Sequence, residues 1–205
     1  MQTVELIERR LMEQMRRGEL APGTWLRQDL LAESLGVSKI PVREALQRLA
    51  ATGVLRLEAN RGAVVPELTA GDAEEIYALR RSVEPLLLRR AIPRMTVVDL
   101  AEAQLATEDA GRPLAESNWA FHRALYRAAG WPRGLAVAEI LHTTVAAYVS
   151  LYTGRLGGAG ASEHQHAALL DACRARRTAV ARRLLVEHLD DAAAALRGHL
   201  AGDAD

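Results

Sequence analysis

Four side chains in the second half of the chain have the chemistry of metal ligands. Asn118 and His122 are four residues apart, so on a helix both leave the same face. His166 and His188 follow in two separate apolar-patterned segments. If those segments surround one cavity, three neutral imidazoles and an amide oxygen converge there. That donor set suits Zn²⁺, with Ni²⁺ or Mn²⁺ as alternatives, and leaves positions for water or a ligand. Spacing alone also fits a plainer picture, in which histidines distant in sequence lie on the surface or are hydrogen-bonded in a core. His164 and His199 show no convergent spacing and read as surface residues, while His142 fits either description.

Arg80 and Glu84 form a second four-residue pair, with Tyr77 one turn earlier. An intrahelical ion pair accounts for Glu84. An arginine reaching a bundle cavity is also a natural partner for a carboxylate ligand, because its planar fork binds two oxygens at once. Trp119 adds an apolar wall, so Arg80, Tyr77 and Trp119 are the candidate effector contacts. A metal with open positions could also serve an enzyme, but no general base stands out beside these ligands. A metal that only staples helices is a further alternative. Cys173 lies in the stripe Leu169, Leu170, Cys173 and reads as core.

Helices must position these groups. Asp72 to Ala91 carries Ile76, Leu79, Val83 and Leu87 on one stripe, with a bend expected at Pro85. Thr96 reads as the N-cap of a helix running to about Ala110. Further helices are expected near 114–129, 133–152, 163–176 and 178–201, with the glycine-rich stretch 153–162 as the loosest segment. The pattern is an antiparallel all-α bundle of six to seven helices.

The first third differs. Thr3 to Arg17 repeats apolar residues at helical spacing, Trp25-Leu26 reads as a short strand, and Gln28 to Leu35 as a second helix. Gly36 turns the chain, and Ser38 stands at the N-cap of a third helix, placed to offer its hydroxyl to the first turn. Val42, Ala45, Leu46 and Leu49 form that helix's apolar stripe; Lys39, Arg43 and Gln47 share another face. Val54 to Glu58 and Ala63 to Pro66 read as strands around Asn60-Arg61-Gly62. This is a winged helix-turn-helix with a small β-hairpin wing. Its DNA-contacting candidates are Ser38, Lys39, Ile40, Arg43 and Gln47 in a major groove, and Arg61 and Gly62 on the wing. The fold class is therefore mainly α, with the head over 1–66, a linker over 67–71 and the bundle over 72–205.

Bulk properties narrow the classes. The 205 residues are 49% hydrophobic but only 4% aromatic, which favours a core of Leu, Ala and Val in packed helices. Formal net charge is zero, so DNA binding must rest on a local patch. One cysteine excludes an intramolecular disulfide. No apolar run approaches a membrane span, and Met1 to Arg17 carries Glu5, Glu8 and Glu13, unlike a signal peptide. A cytoplasmic location is expected.

The run Leu31-Ala32, Leu35-Gly36-Val37-Ser38-Lys39, Pro41-Val42-Arg43-Glu44-Ala45-Leu46, Arg48-Leu49, with Asn60-Arg61-Gly62 a dozen residues later, resembles the GntR family of bacterial regulators. The second domain resembles the FCD ligand-binding domain of its FadR-type subgroup, through Tyr77, Arg80 and Glu84, then Asn118 and His122, then His166 and His188. The resemblance implies a homodimeric transcription factor, usually a repressor, on double-stranded DNA with a two-fold operator. It implies a small organic acid as effector, bound in the bundle and often on a metal held at the positions of Asn118, His122, His166 and His188. His166 rather than His164 keeps the subgroup's register with Leu169 and Ala172. Asn118 stands where aspartate is more common, and Lys39 where arginine is.

Overall fold

In the computed structural model of the chain, residues 2–58, 62–109, 111–149 and 159–202 are described, 159–161 by their backbone alone. The head comprises α1 (Gln2–Arg16), β1 (Trp25–Leu26), α2 (Gln28–Leu35), α3 (Lys39–Ala51), β2 (Arg56–Glu58) and β3 (Gly62–Val64). Val4, Ile7, Leu11 and Met15 bury one face of α1 against Val42, Ala45, Leu46 and Leu49 of α3. Gly36 ends α2 in the left-handed region at φ 64°, where its amide caps Ala32 and Glu33 carbonyls. Ser38 occupies the N-cap of α3 in extended conformation, yet its side chain makes no capping bond, contrary to the expectation from its type.

The strands form an antiparallel sheet ordered β1-β3-β2, with Leu26 opposite Ala63 and Leu57 opposite Ala63 on the other side. Gly62 sits at φ +107°, and a Cβ there would lie 2.4 Å from the Leu26 carbonyl oxygen. Only glycine lets β3 begin this close to β1. The turn with Arg61 lies outside the described residues.

The bundle comprises α4 (Ala70–Ala91), a 3₁₀ turn (Ile92–Arg94), α5 (Val97–Glu108), α6 (Leu114–Arg127), α7 (Pro132–Thr144), α8 (Ala159–Arg174) and α9 (Thr178–Gly202). Thr69 and Asp72 close a capping box at α4, and Thr96 and Asp99 close one at α5. The linker reading missed Thr69, so α4 starts two residues earlier than expected. Helix α8 also begins inside the stretch read as loose, so 159–162 are helical; 150–158 lie outside the described residues. The expected stripe of α4 is partly wrong. Leu79 is exposed, and the inward face is Ala73, Tyr77, Arg80, Glu84, Leu87, Leu88 and Ala91. A hydrophobicity stripe could not find it because two charged residues lie at its centre.

Helix α4 packs along α9, and α5 against α6. Helix α7 lies between head and bundle. Its Ile140 packs on the head core, while Ala138 joins the bundle core and His142 meets Arg80 of α4. Arg17 of the head also pairs with Glu116 of α6 at 2.9 Å.

Candidate functional site

The structure brings three of the four candidate metal ligands together. One ring nitrogen each of His122 (α6), His166 (α8) and His188 (α9) lie within 4.8 Å of one another, and all three residues are buried. Ring centroids are 5.2 Å apart for His122 and His166, 5.3 Å for His122 and His188, and 4.8 Å for His166 and His188. The Nε2 atoms of His122 and His166 are buried without a hydrogen-bond partner. Asn118, one turn before His122, is half-buried and lines a cavity of about 30 Å³ with Tyr77, Arg80 and His188. His164 is exposed, so of the two neighbouring histidines His166 is the one that faces inward.

Every imidazole here is held neutral. Burial pushes His122 well below its ordinary range, and the neighbouring His142, His166 and His188 add to the effect. Burial does the same to His166, helped by His188. His188 is pushed down to about 4 by burial and Arg80. Neutral imidazole is the form that binds a metal.

A layer of partners lies behind these rings. Arg80 Nε donates to Glu84 Oε1 at 2.6 Å and Arg80 Nη2 to His142 Nε2 at 2.9 Å, with both arginine and glutamate fully enclosed. Burial opposes both charges, but each stabilises the other, so Arg80 is held above its ordinary value and Glu84 below. Tyr126 Oη donates to Glu84 Oε2 at 2.7 Å and meets His122 Nδ1 at 3.0 Å. Glu84 thus does more than the expected intrahelical pairing: it anchors α4, α6 and α7 in one polar network.

Glu84, His122 and His142 form a second set of close donor atoms. Physical chemistry disfavours it as a cation site. The His142 Nε2 lone pair already accepts from Arg80, and the guanidinium would stand beside any ion placed there. Burial and Arg80 push His142 down to about 4, against the pull of Glu84. Trp119 packs on His142 at 4.9 Å, and Arg80 lies 4.9 Å over the Tyr77 ring. The three candidate effector contacts therefore do surround one region, but each is buried.

The head offers a different surface. Lys39, Arg43 and Gln47 of α3 line an open groove of about 810 Å³ with Trp25, Arg27, Gln28, Asp29, Leu57, Glu58 and Gly62. Ser38 and Ile40 are exposed at its helix end. Arg27 pairs with Asp29 at 3.1 Å and Arg56 with Glu58 at 3.1 Å. The hydrogen bond from Arg27 holds the Asp29 carboxyl below its usual value. Among the described residues Lys39 and Arg43 have no ion-pair partner. The groove thus combines two uncompensated cations with acids already neutralised, which is how a chain of zero net charge can present a local DNA-binding face.

Comparison with known proteins matches each of the two domains. Residues 3–65 match the family described as bacterial regulatory proteins, gntR family, and residues 75–191 match the FCD domain. The chain belongs to the GntR family of transcriptional regulators, with an FCD domain. It is 38% identical over 98 residues to the HTH-type transcriptional regulator McbR of Escherichia coli, a match covering 48% of this chain and 44% of McbR. It is 40% identical over 75 residues to the gluconate operon transcriptional repressor of Bacillus subtilis, covering 37% of this chain and 30% of that protein. These matches span less than half the length of the curated relatives. The structure of E. coli McbR/YncC superposes with a TM-score of 0.85 at 26% identity, covering 96% of this chain and 98% of that one.

The relatives and the fold are those of transcription regulators, not enzymes. Within this GntR-family chain, among the described residues, no helix is long and apolar enough to cross a membrane. Sequence reasoning left His142 undecided and missed Tyr126 and Gln165. His142 carried a usable signal, standing four residues after Ala138 on the face of α7 that enters the bundle; Tyr126, four residues after His122, carried another.

Proposed function

We propose that this protein is a homodimeric, sequence-specific DNA-binding repressor whose operator affinity responds to a small organic acid bound with a divalent metal in the helical domain. The observation that carries the metal half is the pair of buried, partnerless Nε2 atoms on His122 and His166 beside His188. A buried lone pair without a donor is costly, and a cation relieves it. In a four-coordinate site with bonds of about 2.1 Å, nitrogens lie roughly 3.4 Å apart, so the three rings, whose nitrogens lie within 4.8 Å of one another, need to close by at most roughly 1.4 Å. His122, His166 and His188 would hold the ion, with Asn118 as the oxygen donor; Asn118 is neutral, which leaves the site one unit more positive than an aspartate would. Bound there, the metal supplies a Lewis-acidic position for a carboxylate oxygen.

On the DNA side, each α3 would enter a major groove with Lys39, Arg43 and Gln47 facing the bases, while Arg61 and Gly62 approach the adjacent backbone or minor groove. Selection of bound duplexes from a random pool tests this: an enriched palindrome with fixed half-site spacing supports a dimeric reader, and no enrichment from folded protein overturns it. Elemental analysis followed by titration with organic acids tests the effector half.

One observation favours a second reading, in which the metal only fastens helices. The cavity beside Arg80, Asn118 and His188 is about 30 Å³, room for one or two waters rather than an organic acid. Chelation that unfolds the bundle, with no acid altering DNA affinity, would decide for it.

A further inference from the structure

Two of the three histidines facing one another have their outer nitrogens tied to groups whose hydrogen-bonding direction is fixed. Tyr126 has one hydroxyl proton, and it goes to Glu84 Oε2 at 2.7 Å. The carboxylate can only accept, and its other oxygen is held by Arg80 Nε at 2.6 Å. The 3.0 Å contact between Tyr126 Oη and His122 Nδ1 must therefore be a bond in which Nδ1–H donates. That places the single proton of neutral His122 on Nδ1 and leaves Nε2 as a bare lone pair, the same atom that lacks a partner.

His188 is set by an independent group. Gln165 Nε2 donates to Asp191 Oδ2 at 2.6 Å, which fixes the amide so that its oxygen faces inward. Gln165 Oε1 then accepts from His188 Nδ1 at 2.8 Å. His188 too carries its proton on Nδ1 and turns Nε2 toward the cluster.

We infer that Tyr126, backed by Glu84 and Arg80, and Gln165, backed by Asp191, are the positioning residues that fix His122 and His188 as Nε2 metal donors and so set the metal affinity of the helical domain. The inference rests on the metal reading above and adds residues that no ligand motif contains. It has a physical reason: a ligand ring that is free to place its proton on either nitrogen loses half its correct tautomers and its orientation, whereas a hydrogen-bonded one is ready to bind. The two supports come from different elements, α4 with α6 for His122 and α8 with α9 for His188, so their effects should be separable.

The test uses the full chain, wild type, Tyr126→Phe and Gln165→Ala, with Zn²⁺ and Ni²⁺ as probes competed against a chromophoric chelator. Each variant is expected to lose about 10- to 100-fold in metal affinity. In metal-free protein, long-range ¹H–¹⁵N spectra of the imidazoles should show Nδ1–H tautomers for His122 and His188. Tyr126→Phe should disturb only the His122 pattern and Gln165→Ala only that of His188, a selectivity that general loosening of the fold does not give. Wild-type affinity in both folded variants, with tautomers unchanged, overturns the inference and leaves the metal reading standing. Wild-type protein that binds neither ion overturns the metal reading itself, and the inference with it. Should Tyr126→Phe fail to fold, Gln165→Ala at its half-buried position decides alone.

Discussion

Arg16 Nη1 donates to Thr143 Oγ1 at 2.8 Å, and this bond ties the last turn of α1 in the head to the helix that carries His142. Arg16 is only 8% exposed, and Glu139, one turn earlier on α7, approaches it at 3.4 Å. Burial lowers the arginine's pKa and Glu139 opposes that, so the guanidinium leans on α7 for its few partners. His142, the residue before Thr143, faces the bundle instead and accepts from Arg80 at 2.9 Å. One helix therefore touches the DNA-reading head with one side and the polar network with the other.

Thr143→Val keeps the shape of the side chain and removes the acceptor. A hydrogen bond to a charged group contributes about 1.5–3 kcal/mol, so head and bundle should dock less firmly by that order. Calorimetry should show the melting transition broadening or splitting in Thr143→Val and recovering in Thr143→Ser. The ratio of DNA affinities with and without Zn²⁺ should also move toward one in the valine variant, because a ligand shifts an arrangement only through contacts that differ between its states. A single unchanged transition and an unchanged ratio would remove α7 from the coupling.

Glu84 is the acid on which α4, α6 and α7 converge. Glu84→Ala strips the counter-charge from a fully enclosed Arg80. Breaking one partner of a buried pair costs about 3–5 kcal/mol, the penalty falling on the charge left behind. Urea denaturation should register a loss of that order, while Arg80→Met with Glu84→Met together should lose less than the sum of the two single changes.

The winged head was legible in the sequence because its signals are local. Gly36 needs the left-handed region, the α3 stripe of Val42, Ala45, Leu46 and Leu49 repeats cleanly, and the strands flank a turn signal. The convergence of His122, His166 and His188 was legible only as a conditional, since three helices had to meet for spacing to matter. The network around Glu84 was not legible. Burying Arg80 and Glu84 violates the rule that an amphipathic stripe is apolar, and the Tyr126 bond to Glu84 and the Gln165 bond to His188 run between helices, where no spacing encodes them. For the same reason Leu79 was placed inward when the structure leaves it exposed.

Arg43 stands free on the groove-facing side of α3, with no ion pair among the described residues to hold it back from DNA. If it reads a base edge, Arg43→Ala costs about 1–3 kcal/mol on the selected operator and relaxes preference at one position. If it touches only phosphate, affinity drops evenly across sequences and the salt dependence shallows by about one unit. Fluorescence anisotropy on the operator and on single-base variants, at two salt concentrations, separates the two. Lys39→Ala should follow the phosphate pattern, since a lysine lacks the planar fork that recognises guanine.

Asp99 sets an acid-dependent term in the stability of the bundle. Burial alone would raise its carboxyl, but the Thr96 amide and hydroxyl, both at 2.7 Å, and Arg127 at 2.6 Å hold it below its ordinary value of 3.8. A carboxylate depressed in the folded state binds its proton more readily when unfolded, so its contribution is complete above the unfolded value and is lost as pH falls through the folded one. Asp99→Asn should cost about 1–2 kcal/mol near neutrality, through the weakened capping box and the lost partner of Arg127. Other acids also titrate in this range, so the quantity to read is the difference between wild type and variant. Thermal melts should show that difference constant at neutral pH and shrinking as acidification carries the carboxyl below its ordinary value of 3.8 and through its lower folded one. A gap that stays constant on acidification would mean that the Asp99 charge adds nothing beyond its shape, and that Thr96 alone caps α5.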